Sequence, residues 1–399
     1  KNMVAIMKGR VKDRLRGKVI HGTTGHWTSR DHRAFESLCF HWIENFELVS
    51  LNVECKEFIG STKSEKLVEN YVKRLADWNI TGKPDKQNQY ICRENTILAT
   101  CTTDTESKMN KFGMQLESEY FVTAIYCTDH VIQATAVIAY SSRIFSDDDT
   151  TDAFGKGLVG KCRKLVQFFT TSSQRQQDLC DVQHELGQRA RDPVVAYRDA
   201  NQPYKVVQDA VVRWWSTYAM IQRLIILKPA LERLDAEKKL RNSTDRANSP
   251  SRMLTDPEWG HIESLAGLLQ PWKVAQQVLE SEKIVTSSLV LPHLRIVYDK
   301  LATYIKDAEE SPDDDDHQLH LSASLVDLAR RMMEDFKKRW GDLDIPFHRE
   351  VDRGAQKRQV GIHPNFVLAH ALDPRLKNLS FISNEDNKEE LWGAILEEM

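Results

Sequence analysis

The sequence predicts an α/β segment followed by a longer segment built from α-helices. Two observations predict this class. Up to about residue 126, runs of β-branched and aromatic residues alternate with stretches of helical periodicity. From Cys127 onward helical periodicity dominates, and alternating apolar patterns are almost absent. The first segment reads as three strands, a helix, a strand, a helix and a strand, which predicts a mixed, partly antiparallel sheet.

The elements follow from local patterns. The apolar residues Leu67, Val68, Tyr71 and Leu75 fall on one face of a helix, and the short polar link Glu44-Asn45 between two strand-like runs predicts a hairpin. Predicted strands cover 19–24, 35–44, 46–58, 96–103 and 121–126, and helices 64–78 and 104–117. The helical segment is predicted as 129–141, 152–170, 174–190, 204–235, 256–281, 287–306, 319–340 and 363–372.

Composition excludes several classes of protein. Of 399 residues, 41% are hydrophobic and 28% charged, which argues against wholesale disorder. The longest apolar run is far shorter than the ~20 residues of a membrane helix, and the basic opening residues lack the apolar block of a signal peptide. Seven scattered cysteines favour a reducing compartment over a disulfide framework.

Net charge is uninformative, because 55 basic and 58 acidic residues leave only −3. The charge is unevenly distributed, however, since residues 1–18 hold seven basic residues and one acid. This stretch is either a solvated helical face or tail, or an arm that contacts nucleic-acid phosphates.

Asp104 is the first candidate for chemistry. It ends a buried strand and opens a helix, where the sheet fixes the carboxylate and leaves it open to a metal ion. Two-metal phosphoryl transfer needs several such carboxylates. The alternative is that Asp104 only caps the next helix by accepting backbone N–H groups.

Histidines and cysteines supply the other candidates. His26, at the end of the first strand, is either a base or ligand or simply an exposed histidine. Cys127 and His130 have a spacing that could give zinc two ligands, but structural zinc takes four and no second cysteine pair follows. A Cys–His nucleophilic pair lacks any identifiable oxyanion hole.

One helical stretch carries paired tryptophans. Trp214 lies on a predicted apolar stripe with Val207, Val211, Tyr218, Ile221 and Ile225, whereas Arg213 and Trp215 lie off it. Arg213 beside the Trp rings could grip a phosphate while a ring stacks on an unpaired base. Burial of Trp214 in the helical core is the competing interpretation.

Five short motifs follow one another along the chain. They are Thr23-Thr24-Gly25-His26-Trp27-Thr28-Ser29; Thr102-Thr103-Asp104 with Ser107 and Met109; Cys127-x2-His130; Asp209 to Thr217 with Arg213-Trp214-Trp215; and Leu372-Asp373-Pro374-Arg375 with Lys377. Together they resemble the motifs of the hAT (hobo/Ac/Tam3) superfamily of DNA transposases and of the zinc-finger BED-type proteins derived from them. The resemblance covers most of the chain.

The resemblance implies an RNase H-like core interrupted by a large helical insertion domain. It divides the chain into a basic N-terminal arm (1–18), the first part of the core (19–130) and an incomplete insertion domain (131–399). It further implies DNA as a partner, self-association through segments beyond these residues, a nuclear location without membrane contact, and Mg²⁺ or Mn²⁺ held by an Asp-Asp-Glu triad. Trp214 corresponds to a residue expected to stack on a flipped base.

The departures from the family pattern concern the triad. Asp104 matches the second acid, but Gly25 stands at the position of the first. The third acid is a Glu expected after the insertion, and the sequence ends at Met399 before such a residue. No BED finger or C-terminal dimerisation segment is recognised. The sequence therefore predicts an inactive or fragmentary transposase-derived DNA-binding protein. Two alternatives stay open: an active transposase when full length, and a helical protein-interaction scaffold.

Overall fold

The computed structural model describes residues 2–29, 31–60, 63–82, 96–141, 157–189, 203–209, 214–241, 251–281, 283–310, 323–341, 343 and 362–398. The chain divides into two compact units. The sheet unit comprises Lys1–Val131, Gln277–Pro292 and Arg339–Met399, and the helical unit comprises Ile132–Gln276 and His293–Lys338. Each unit is described by itself.

The sheet unit is built on a mixed sheet, as predicted. Its strands are β1 Val19–Thr28, β2 Ala34–Glu44, β3 Glu47–Glu57, β4 Ile80–Gly82, β5 Thr96–Thr103 and β6 Thr123–Tyr126. The order is β3-β2-β1-β5-β4, and β6 also pairs with β5. Strands β1, β2 and β3 are antiparallel, whereas β5 runs parallel to β1, β4 and β6. The predicted hairpin is present, and its turn residues Asn45 and Phe46 both have positive φ.

Three helices pack their apolar residues against this sheet: α1 Asn2–Leu15, α2 Ser64–Asp77 and α3 Ser107–Tyr120. The predicted face of α2 is buried, and it contacts side chains of β1, β2 and β5 in one core. Gly22 allows a close approach there, since a Cβ at that position would lie 2.8 Å from Tyr71 Oη. The basic helix α1 is anchored rather than free: Val11 and Leu15 join the core, and Arg14 and Lys18 bind Glu44.

The remaining helices are α4 Thr128–Ser141, α5 Gly157–Thr170, α6 Ser173–Arg189, α7 Trp214–Ala236, α8 Asp256–Leu279, α9 Val290–Glu310, α10 Ala323–Trp340, α11 Pro364–Leu372 and α12 Glu385–Glu398. A 3-10 turn, Ser287–Leu289, precedes α9. Helices α11 and α12 belong to the sheet unit, although the sequence assigned them to the helical segment 131–399. Among the described residues, no helix combines the length and apolar character that crossing a bilayer requires.

One predicted helix is shorter than expected. The pattern predicted 204–235, but 203–209 is not helical and α7 begins at Trp214. The Gln183 side chain explains the difference, because it accepts from the Tyr204 backbone N–H at 2.8 Å and donates to the Tyr204 carbonyl at 3.0 Å. A side chain thus satisfies backbone groups that a helix would have paired internally.

Candidate functional site

Gly25 lies within β1, and Asp104 directly follows β5, the parallel neighbour of β1. Strands β1 and β5 pair Gly22 with Cys101 and Thr23 with Thr102. Continued for two residues past the last pair, this register would set Asp104, which directly follows β5, opposite Gly25, which lies within β1. The two sequence-predicted positions therefore belong to neighbouring strands, and one of them has no side chain.

Asp104 does not cap α3, whose N-cap is Glu106, but forms a turn just before it. Its Oδ1 accepts the backbone N–H of Glu106 at 3.0 Å, immediately before α3. Steric crowding does not require a glycine at position 25, because a Cβ there would contact only Ser37 Oγ, at the ordinary distance of 3.4 Å. A longer side chain at position 25 would thus find room at its first atom.

His26 follows Gly25 on β1. It is the cross-strand partner of Glu36, and its ring meets Phe58 edge-on at 6.1 Å. Burial lowers the pKa of His26, and the carboxylates of Glu36 and Asp104 oppose only part of that effect. The ring is therefore neutral at pH 7 and able to accept or donate a proton.

A buried network of charged side chains lies next to His26, and no sequence pattern predicted it. Arg74 of α2 has a side chain only 2% exposed; its Nε donates to Glu54 at 2.8 Å, and its Nη1 lies 3.2 Å from Glu36. Asn70 donates to both oxygens of Glu36, and Trp78 Nε1 donates to Glu54. Burial raises the pKa of Glu54, but the hydrogen bonds from Trp78 and Arg74 outweigh it, so that the pKa is lowered. We name these residues the Arg74 brace.

Cys127 directly precedes α4, and His130 lies in its first turn. Burial raises the pKa of the Cys127 thiol, while hydrogen bonds from the backbone N–H groups of His130 and Asp129 oppose that effect. Cys127 therefore caps α4 through its sulfur, and His130 is exposed. Throughout the described ranges, no group of three or more His, Cys, Asp or Glu side chains is arranged to hold a metal ion.

The paired tryptophans of α7 are only partly described. Arg213 and the side chain of Trp214 lie outside the described residues. Trp215, which the pattern set off the apolar stripe, is instead buried at 8% exposure, edge-on to Tyr218 at 6.0 Å. Trp215, Met220, Ile221 and Leu224 are buried on α7, so that of these four only Ile221 belongs to the predicted stripe.

In two further motifs, an aspartate accepts hydrogen bonds from other parts of the chain. Asp209 accepts from Arg163 Nε at 2.7 Å and from Thr217 Oγ1 at 3.1 Å, which ties the segment before α7 to α5. Asp373 accepts from Ser288 Oγ at 2.9 Å and from the Arg375 guanidinium at 2.7 Å. The Arg375 contacts hold the pKa of Asp373 far below its usual range. Both aspartates therefore stabilise local structure.

Comparisons with known proteins agree with the motifs. A family model described as the ZBED1 RNase-like helical domain matches residues 144–268. Zinc finger BED domain-containing protein 4 of Homo sapiens is 20% identical over 392 residues, which are 96% of this chain and 27% of the human protein. The chain thus spans about a quarter of that relative's length. Both matches confirm the resemblance to hAT-derived, BED-type proteins.

Proposed function

We propose that this chain, a hAT-derived protein of the BED type, binds DNA and does not cleave it. The observation that carries the second part is that Gly25 on β1, and Asp104 directly after the neighbouring strand β5, stand where the family pattern calls for two acids. Cleavage of the transposase kind needs several carboxylates that hold cations ~3.5–4 Å apart. At this position one carboxylate is available.

The residues present do not fit the Mg²⁺ or Mn²⁺ pair that the resemblance implies. Asp104 already accepts a backbone N–H with Oδ1. Glu36, the nearest buried acid on β2, is bound by Arg74 and Asn70 and is 2% exposed. No cleavage step is therefore assigned to Asp104, to Gly25 or to a metal ion.

DNA binding is supported by the relatives rather than by a visible cleft. The similar human protein is named for a BED zinc finger, and the matched family model is named for an RNase-like helical domain. We extend the proposal to an RNase H-like core formed by the mixed sheet, a nuclear location, and self-association in the whole protein. In this reading Arg213 and Trp214 contact DNA, as their motif implies.

The test has two arms. Duplex DNA is incubated with the purified chain and Mg²⁺ or Mn²⁺, and nicking is compared with that of Asp104→Ala. We expect no nicking from either protein, and nicking that Asp104→Ala abolishes would refute inactivity and favour the active transposase. In the second arm, affinity for duplex DNA is measured across salt concentrations, and we expect a steep loss as salt rises. Absence of binding at low salt would favour the protein-interaction scaffold.

A further inference from the structure

An open cleft of about 1150 Å³ lies within the sheet unit. One wall is the tip of the β2–β3 hairpin, and the other is formed by residues 283–288 and the end of α11. Five large apolar side chains that line the cleft are exposed to solvent: Ile43, Phe46, Ile284, Val285 and Leu372. Exposed apolar side chains gathered on one surface are typical of an interaction site. We call this surface the hairpin cleft.

Phe46, at the tip of the hairpin, has a backbone conformation that its side chain disfavours. Asn45 and Phe46 form the two-residue turn, with φ of 52° and 65°. The second position of such a turn is typically glycine, because a bulky side chain is strained at positive φ. The Phe46 side chain is fully exposed, so that no apolar burial within the described residues offsets this strain. A strained backbone that presents an exposed aromatic ring indicates a binding role for the ring.

Hydrogen bonds hold the second wall of the cleft in place. Ser288 Oγ donates to Asp373 at 2.9 Å, and Nδ1 of the buried His370 donates to the Ser288 carbonyl at 3.1 Å. These contacts join the 3-10 turn to α11. The wall is therefore already formed in a single chain, and a binding partner need not order it.

The charges that line the hairpin cleft favour a second copy of the chain as its occupant. Glu47 follows Phe46 on the hairpin, Lys283 belongs to the second wall, and both are exposed. Neither forms an ion pair among the described residues, whereas Asp373 and Arg375 pair with each other. The cleft thus offers one free acid beside its exposed ring and one free base on its other wall. Under two-fold symmetry the same surface meets itself, so that Glu47 of each copy can face Lys283 of the other.

We propose that two copies of the chain associate through their hairpin clefts, with Phe46 of each copy inserted among the apolar side chains of the other. Insertion removes the ring and the apolar walls from water, which makes Phe46 the largest single contribution to affinity. Glu47 and Lys283 pair between the copies and fix their relative orientation. The inference rests on the self-association in the proposed function and gives it a surface within this chain. It does not depend on DNA binding.

The test is the oligomeric state of the full chain without DNA. Sedimentation velocity is measured from about 1 to about 100 μM, a range that spans micromolar dissociation constants, and we expect the wild-type chain to dimerise as its concentration rises. Phe46→Gly is expected to raise the dissociation constant ~30-fold or more. The monomer should keep its fold, because glycine adopts positive φ without strain, and the melting temperature at low concentration checks this. Phe121→Gly is the matched control, since Phe121 is also exposed at positive φ but does not line the cleft.

Charge reversal tests whether the occupant is a second copy. Glu47→Lys and Lys283→Glu are each expected to weaken the dimer at least ~10-fold, because like charges then meet twice in every dimer. A mixture of the two single variants is expected to dimerise as the wild-type chain does, since each contact again joins opposite charges. The chain that carries both substitutions should dimerise equally well for the same reason.

The outcomes separate this surface from the proposed function. A wild-type chain that stays monomeric over the whole range overturns the inference and leaves the cleft to a different protein, while self-association through segments beyond these residues stands. A dimer that Phe46→Gly and both charge reversals leave unchanged forms through another surface, which also overturns the inference. Should Phe46→Gly fail to fold, the charge variants decide, because they alter only exposed side chains. Failure of the mixed variants to dimerise would then count against pairing between copies.

Discussion

Replacing Arg74 by Met is expected to cause a large loss of stability in the sheet unit. The Arg74 side chain is 2% exposed and faces two carboxylates, Glu54 at 2.8 Å and Glu36 at 3.2 Å. Met keeps the apolar stem of the side chain and removes the charge. Glu36, itself 2% exposed, then stays buried with the amide of Asn70 as its close donor.

The size of the loss follows from this geometry. Removing one partner of a buried ion pair costs about 3–5 kcal/mol, because the other charge remains without compensation. Lys56 Nζ lies 3.7 Å from Glu36 and 3.5 Å from Glu54, but it is 46% exposed and offsets only part of the cost. We therefore expect a loss of about 3 kcal/mol in the free energy of unfolding, at the lower end of that range.

The assay must distinguish the two units. Native-state hydrogen exchange of the β2 and α2 amides reports the opening of the sheet unit, whereas a global urea curve mixes both units. Lys56→Met is the matched control: it removes a half-exposed cation from the same carboxylates and is expected to cost less than about 1 kcal/mol. Glu36→Gln in the Arg74→Met background is expected to restore part of the stability, since it removes the uncompensated charge. A cost below about 1 kcal/mol for Arg74→Met, or a further loss of stability from Glu36→Gln, would refute the stabilising role of the Arg74 brace.

Three further predictions concern single positions. Gly22→Ala is expected to cost about 1–3 kcal/mol, because the new Cβ would lie 2.8 Å from Tyr71 Oη; Gly25→Ala is the near-neutral control, and chemical unfolding measures both. Gly25→Asp is expected to fold and to gain a melting-temperature rise with Mn²⁺ that Asp104→Ala removes; no rise would contradict the adjacency of the two positions. Burial lowers the pKa of His370 from 6.5, so the unfolded chain binds a proton first and stability is lost as pH falls below about 6.5. His370→Gln should reduce that loss between pH 7.5 and 5.5, as measured by urea midpoints, and an unchanged pH dependence would contradict this.

Local patterns were enough to predict most elements, because the buried faces of helices and strands are periodic. The face of α2 is an example, since Leu67, Val68, Tyr71 and Leu75 are all buried. Periodicity failed where a long-range contact decides the backbone, as at Tyr204, which Gln183 holds in a non-helical conformation. It also underestimated β1, which extends to Thr28 because β2 pairs along its whole end.

The candidate site was predictable only in part. The positions of Gly25 and Asp104 follow from the motifs, and the parallel pairing of β1 and β5 places them on neighbouring strands. The Arg74 brace was not predictable, since an arginine on an amphipathic helix is normally exposed and its two carboxylates come from different strands.

The motifs that carry the resemblance have structural roles in the described residues, so their presence does not by itself indicate DNA cleavage. Cys127 caps α4, and Asp104 accepts the N–H of Glu106. Asp209 accepts from Arg163, and Asp373 accepts from Ser288. Each of these contacts stabilises the fold whether or not DNA is cut. A chain that lost cleavage would therefore still need most of these residues in order to fold. The resemblance to the family therefore cannot by itself decide activity, and the proposed inactivity depends on position 25, where a Cβ would find room and no acid is present.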